Sequence, residues 1–267
     1  LRASEPIDRD ALAHDLAATV REAGALALTS FKGPVKTWMK PGDSPVCEAD
    51  LAVDALLRER LAATGVAEGW LSEETEDDPA RLTADRVWIV DPIDGTRAFL
   101  AGRDDWCVSV ALAEHGRPIV AAIYAPATDD LYLATAGGGA THNGAPMSAT
   151  AGSTLAQARV AGPDRRLARL APFGIVAEPK VHALALRVTL VAQGRLDVAL
   201  AGPNSHDWDL AAADLLVHEA RGALTTLAGE TLVYNQPTPK HSALFAAGRA
   251  RHQALSDLMR EGRVAFP

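Results

Sequence analysis

The stretch Trp88-Ile89-Val90-Asp91-Pro92-Ile93-Asp94-Gly95-Thr96-Arg97-Ala98-Phe99 decides how this chain is read. Trp88, Ile89 and Val90 form a short apolar run that enters a turn, the pattern of a buried strand. Asp91 and Asp94 stand at its end, and Gly95-Thr96 lead toward a helix start. Two carboxylates three residues apart, with Pro92 between them, can project to one side of a tight turn. Such a pair suits hard divalent cations, which take oxygen ligands. Backbone N–H groups at Gly95 and Thr96 would then offer an anion-binding helix N-terminus beside the carboxylates. A cation on one side and N–H groups on the other is how a phosphate is held. The same residues also read as an N-capping aspartate followed by a β-turn, a common use of Asp-Gly.

Working outward, Leu71-Ser72-Glu73-Glu74 lies 18 residues before Asp91, at the end of a candidate strand. Glu76, Asp77 and Asp78 continue the acidic run and read as a solvated patch. Downstream, Asp207-Trp208-Asp209 opens a long helix; Asp209 is either a ligand or a carboxylate favoured by the helix dipole. Residues 8–31 predict a helix, with Leu12, Leu16, Val20, Ala23, Ala27 and Phe31 at 3–4 residue spacing and Asp8 as N-cap. Gly33-Pro34 ends it, and Lys40-Pro41-Gly42-Asp43-Ser44-Pro45 reads as a loop before a second helix running to about residue 63. Strands follow at 106–112, 118–125 and 130–135, with His115-Gly116-Arg117-Pro118 as a hairpin-like turn. After residue 150 strands alternate with helices: helix 181–194, strand 196–200, helix 209–221, strands 223–227 and 243–247, helix 249–262. A boundary near 145–155 is expected, giving an N-terminal α+β lobe (1–150) with most candidate ligands and a C-terminal α/β lobe (151–267) supplying Asp209. The first half should hold an antiparallel sheet.

Composition narrows the function classes. The 267 residues are 48% hydrophobic and 22% charged, which excludes whole-chain disorder, collagen and coiled coil. No apolar run approaches the ~18 residues of a membrane span. The net charge of −8 disfavours non-specific nucleic-acid binding. Cys47 and Cys107 cannot make a disulfide framework, so a reducing cytoplasm is the expected compartment. The charged stretch Leu1–Asp10 lacks an apolar signal core, so no export signal is expected in it. The eight histidines are scattered and show no zinc spacing; His206, three residues before Asp209, is the one positioned to touch a substrate hydroxyl or a ligand carboxylate.

Together these pieces resemble the inositol monophosphatase family of metal-dependent, lithium-sensitive phosphomonoesterases. The resemblance rests on Ser72-Glu73-Glu74, Asp91-Pro92-Ile93-Asp94-Gly95-Thr96, Trp208-Asp209-Leu210-Ala211-Ala212, Glu219-Ala220-Arg221-Gly222 and Ser44-Pro45-Val46-Cys47-Glu48-Ala49-Asp50. It implies an α+β fold, a layered αβαβα sandwich of the inositol monophosphatase/fructose-bisphosphatase type. It implies one Mg²⁺ held by Glu73, Asp91 and the Ile93 carbonyl, a second held by Asp91, Asp94 and Asp209, and a substrate phosphate bridging them. A third, weakly held ion near Glu73 is used in some family mechanisms. Gly95 and Thr96 would bind the phosphate, and Asp50 would act as general base relayed by the Thr96 hydroxyl. The positive ions explain how an acidic chain takes a dianion. Glu74 is expected behind the ligands rather than among them. Many relatives are homodimers, so that assembly is an expectation here.

Two departures stand out. Cys47 occupies a position where the family usually has Thr, and Cys is the weaker helix N-cap. Arg221 replaces a common Gly. The rim chooses the substrate, and three features lean toward the 3'(2'),5'-bisphosphate nucleotidase branch, the CysQ type acting on 3'-phosphoadenosine 5'-phosphate. These are Lys40 in its Lys-x-x-Asp-Ser-Pro-Val loop, the 113–126 hairpin, and Gly202-Pro203-Asn204 where inositol phosphatases often carry an acid. Lys40 and Arg187 would serve a second phosphate; each also reads as an ordinary solvated cation. Ile93 and Ala98 point instead to inositol 1-phosphate or histidinol phosphate. A different class, a non-catalytic regulatory partner of RNA or transcription machinery, is disfavoured by the charge and the complete ligand set.

Overall fold

The computed structural model describes residues 6–40 and 44–266. Pro41-Gly42-Asp43 of the expected loop and Leu1–Glu5 of the charged start lie outside the described residues. In chain order the elements are α1 (Arg9–Leu28), β1 (Thr37–Lys40), β2 (Ser44–Cys47), α2 (Glu48–Ala62), β3 (Gly69–Ser72), β4 (Arg86–Asp94), α3 (Thr96–Leu100), β5 (Cys107–Glu114), β6 (Arg117–Ala125), β7 (Asp130–Thr135), β8 (Gly139–His142) and β9 (Ala145–Pro146). There follow β10 (Arg159–Ala161), α4 (Asp164–Leu170), β11 (Val176–Ala177), α5 (Leu184–Ala192), β12 (Val198–Ala201), β13 (Ser205–His206), α6 (Asp207–Glu219), β14 (Gly222–Thr226), β15 (Lys240–His241), β16 (Leu244–Gly248) and α7 (Arg249–Arg260).

Strands β3 to β9 form a seven-stranded sheet in chain order, antiparallel except for the parallel pair β3/β4. A five-stranded mixed sheet has the order β11-β10-β12-β16-β14. The hairpin between β5 and β6 turns on His115 and Gly116, both with positive φ (49° and 77°), as a two-residue turn between right-twisted strands demands. Asp8 caps α1 by accepting from the Asp10 and Ala11 amides.

Alternation along the strands sorts residues into layers. Val108, Val110 and Leu112 of β5 face α1 and α2, with Val20, Leu57, Trp88 and Val120 in the same core. Ala111 and Ala113 of β5 face the other way and pack with Ala121, Ile123 and the helices α5 and α6. The small Ala faces of β5 and β6 meet the run Ala211-Ala212-Ala213, which lets α6 lie close to the sheet. The same interlayer core includes Ala199 and Ala246 of the five-stranded sheet. Its outer face carries Val160, Leu200 and Phe245 against Leu170 of α4 and Leu255 of α7. The expected αβαβα sandwich is what the chain builds. At Gly24 an added Cβ would meet the Tyr124 ring at 2.6 Å and Pro126 at 2.7 Å, so α1 needs a glycine to approach β6.

Two expectations are corrected. Of the loop expected at 40–45, the described residues Lys40, Ser44 and Pro45 instead belong to two antiparallel strands, with Lys40 paired to Ser44 and Met39 to Pro45. Turn-forming residues dominate that composition; β1 is short and largely exposed, while β2 buries the adjacent Val46 and Cys47, so no hydrophobic alternation marks either strand. The helix expected at 181–194 begins only at Leu184, because the Ala183 and His182 amides are taken by Asp105. Among the described residues no helix is long and apolar enough to cross a membrane.

His252 on α7 stacks on Phe245 (centroids 4.2 Å apart, 11° between planes), and its Nε2 lies 3.0 Å from the Thr225 hydroxyl. Burial pushes its pKa down to about 4. The unfolded chain takes up that proton near pH 6.5 and the folded chain does not, so stability is complete above 6.5 and declines as pH falls toward 4. With partial solvation the loss is at most about 2 kcal/mol. Urea unfolding at pH 7 and pH 4.5 should show a smaller pH difference in His252→Phe than in the native chain; equal differences would refute the assignment.

Candidate metal and phosphate site

Asp91 and Asp94 would point to opposite faces of a regular strand, being an odd number of residues apart. They share a site because β4 bulges. Asp91 pairs with Ser109 and Asp94 with Cys107, so β4 carries one more residue than β5 between the pairs. Pro92, which has no N–H to give a ladder, is the local cause. The sequence reading of a tight turn thus resolves as a bulged strand end.

Asp94 is then fixed from across the interlayer core. Its Oδ1 accepts from the Leu184 amide at 3.1 Å and its Oδ2 from the Ala185 amide at 2.6 Å, at the N-terminus of α5. Nothing in the sequence pairs residue 94 with 184 and 185. Asp209 sits in the first turn of α6, its Oδ2 accepting from the His206 amide at 2.6 Å. Asp207 anchors that helix start: its oxygens take His241 Nε2 and the Asn235 amide, each at 2.7 Å.

One oxygen from each of Asp91, Asp94 and Asp209 lies within 4.8 Å of the others. Burial, then the charges of Glu73, Asp94 and Asp209, push Asp91 well above the ordinary carboxylate range. Burial pushes Asp94 up to about 7, against the pull of the Ala185 and Leu184 amides. Asp209 is raised too, by burial and by Asp94. Asp91 Oδ1 is buried with no hydrogen-bond partner. Crowded anionic oxygens with one unsatisfied acceptor oxygen and no nitrogen or sulfur ligand among the three fit a hard divalent cation.

Glu73 stands beside this group without joining its 4.8 Å cluster. Its amide donates to the Val90 carbonyl at 3.2 Å, and its Oε1 lies 3.5 Å from Lys40 Nζ. Lys40 also contacts Glu74 Oε1 at 2.5 Å and the Glu73 carbonyl at 3.2 Å. Its charge is spent on these carboxylates. The Ile93 carbonyl accepts the Thr96 hydroxyl at 3.2 Å, and the same hydroxyl lies 3.3 Å from Asp50 Oδ1. Asp50 reaches this position through the first turn of α2, its Oδ2 accepting from the Cys47 amide and thiol, each at 2.8 Å. The Cys that replaces Thr therefore still touches Asp50. The second cysteine, Cys107, lies 4.0 Å from Asp94 Oδ2.

Gly95 has φ 93°, and an added Cβ would meet the Asp105 carbonyl and Ala183 at 3.2 Å, so only glycine fits. Its amide and that of Thr96 open α3 and have no acceptor within that helix. With five residues, α3 adds little dipole.

His206 stacks on Trp208 (4.4 Å, 6°), with Nδ1 3.8 Å from Asp209 Oδ2. Arg187 is nearly buried on α5; its Nη1 donates to the Val181 carbonyl at 3.3 Å and its Nε has no partner. His142, His182 and His241 each pair with an aspartate at 2.7 Å and are structural.

The sequence matches the Inositol monophosphatase family over residues 8–261. The chain belongs to the inositol monophosphatase family. It is 35% identical over 203 residues to a histidinol-phosphatase of Mycobacterium tuberculosis, covering 71% of this chain and 77% of that one. It is 33% identical over 196 residues to a 3'-phosphoadenosine 5'-phosphate phosphatase of Mycobacterium bovis, covering 71% and 72%. The extragenic suppressor protein SuhB of Bartonella henselae superposes with a TM-score of 0.83 at 26% identity, over 94% of this chain and 99% of the other. The chain is a metal-activated phosphomonoesterase of this family, and its buried acidic cluster is able to coordinate a divalent metal ion.

Proposed function

We propose that the chain hydrolyses small phosphate monoesters bearing a second anionic group, foremost 3'-phosphoadenosine 5'-phosphate, to AMP and phosphate. The observation that carries this reading is Arg187. A buried guanidinium with an unused donor is costly unless an anion takes it. Among the described residues Arg187 makes no ion pair, though its charge acts on Asp94 and Asp209. One phosphate, met by cations, does not require such a residue; two phosphates do. The Gly202-Pro203-Asn204 turn offers no carboxylate to an inositol hydroxyl or to the ammonium of histidinol phosphate.

Asp91, Asp94 and Asp209, with Glu73 and the Ile93 carbonyl, would hold Mg²⁺ ions. When bound, these ions supply the positive charge that draws in the phosphate and acidifies the attacking water. The Gly95 and Thr96 amides orient the phosphate oxygens. The Thr96 hydroxyl aligns the water, and Asp50 takes its proton through that hydroxyl. Burial raises the Asp50 pKa while hydrogen bonds from Cys47 and Thr96 hold it down, which suits a base at neutral pH.

The test is phosphate release with Mg²⁺ from 3'-phosphoadenosine 5'-phosphate, inositol 1-phosphate and histidinol phosphate, with and without lithium. The bisphosphate should have the highest kcat/KM, lithium should inhibit, and Arg187→Met should reduce the bisphosphate preference at least about tenfold, a loss of roughly 1.4 kcal/mol. Preference for another ester would discard the substrate. No turnover of any ester would favour a non-catalytic binding role.

A further inference from the structure

Strands β13 and β15 form a two-residue antiparallel ribbon in which His206 is paired with Lys240. Directly opposed residues carry their side chains on the same face, with Cβ atoms about 5 Å apart. On that face the His206 ring reaches to within 3.8 Å of Asp209 Oδ2, so Lys240 stands on the side of the ribbon that borders the carboxylate cluster. Lys240 is exposed, and among the described residues its ammonium makes no ion pair or side-chain hydrogen bond. The two cations singled out earlier differ from it. Lys40 is held by Glu74 at 2.5 Å and by Glu73, and Arg187 is nearly buried. Burial, then Lys240 and, more weakly, Lys40, push the His206 pKa down, which agrees with two ammonium groups flanking one imidazole.

We infer that Lys240 is a specificity-determining residue that binds the anionic group on the leaving-group side of the substrate, a second phosphate in a bisphosphorylated nucleoside. The inference rests on the substrate reading above and deepens it by assigning the rim contact to Lys240 instead of Lys40. An exposed ammonium of this kind acts over a short, solvent-screened range and contributes to ground-state binding more than to the chemical step.

The experiment compares 3'-phosphoadenosine 5'-phosphate with adenosine 3'-phosphate, which lacks the second phosphate, using the full chain with Mg²⁺. In Lys240→Ala the KM for the bisphosphate should rise about fivefold relative to that for the monophosphate, and Lys240→Glu should widen the shift. Lys240→Arg should restore the native ratio. The change should fall on KM rather than kcat and shrink as salt is raised. A native preference for the bisphosphate that survives Lys240→Glu unchanged would overturn the inference while leaving the substrate reading intact. A native chain that treats both esters alike, or hydrolyses neither, would overturn the substrate reading and the inference with it.

Discussion

Replacing Asp91 by Asn should raise the melting temperature of the metal-free protein and abolish the further rise that Mg²⁺ produces in the native chain. Asp91 is buried, its Oδ1 has no partner, and Glu73, Asp94 and Asp209 crowd it with like charge. Without a cation that arrangement opposes folding, so a neutral amide of nearly the same shape relieves about 1–2 kcal/mol, or a few degrees in Tm. With Mg²⁺ at about 100 times its Kd, the native chain gains about 2.7 kcal/mol by mass action, and the variant loses that gain. The two melting curves should therefore exchange order between chelator and saturating Mg²⁺. Phosphatase activity should fall at least about 10³-fold, the several kcal/mol that metal-assisted chemistry supplies. Calorimetry of both proteins in both buffers is the measurement. An Asn variant that melts no higher in chelator and still responds to Mg²⁺ would refute the ligand assignment.

The second large effect belongs to the hydroxyl–carboxylate pair. Thr96→Val keeps the shape of a buried side chain and removes the hydroxyl that lies 3.3 Å from Asp50 Oδ1 and 3.2 Å from the Ile93 carbonyl. General-base assistance contributes about 10²–10⁴-fold, so kcat should fall by about that factor with KM nearly unchanged. Asp50→Asn should do the same, and the double variant should be little worse than the more damaged single one, because the two groups act on one proton. Thr96→Ser should keep most of the rate. Additive losses in the double variant would show that Asp50 acts by another route.

Much of this site was legible in residues 72–96 and 206–214. An apolar run ending in Asp91-Pro92-Ile93-Asp94-Gly95-Thr96 carries its own strand, its own bulge-forming proline and its own helix start. The hairpin at His115-Gly116 was legible because two positive-φ positions demand such residues. Other features had no local signal. The β1/β2 pair is short, with β1 mostly solvent-facing and β2 burying the adjacent Val46 and Cys47, so hydrophobic periodicity could not mark it. The Lys40 charge is spent on Glu73 and Glu74, partners over 30 residues away that only the placement of β1 brings near. The backbone amides of Leu184 and Ala185 grip Asp94 as peptide groups, and peptide groups leave no trace in side-chain patterns. Lys240 owes its position to a two-residue ribbon too short to be read from sequence.

That grip on Asp94 makes the reacting centre a seam between layers. Asp94 leaves the end of the seven-stranded sheet, and the amides that hold it open a helix packed against the five-stranded one. The alignment of the centre is therefore hostage to how the two sheets rest on each other. A substitution in the alanine-rich packing of α5 or α6 that shifts the stack by a fraction of an ångström would register as lost turnover in a well-folded protein. Damage of that kind would pass for a defect in chemistry, although its cause would be masonry.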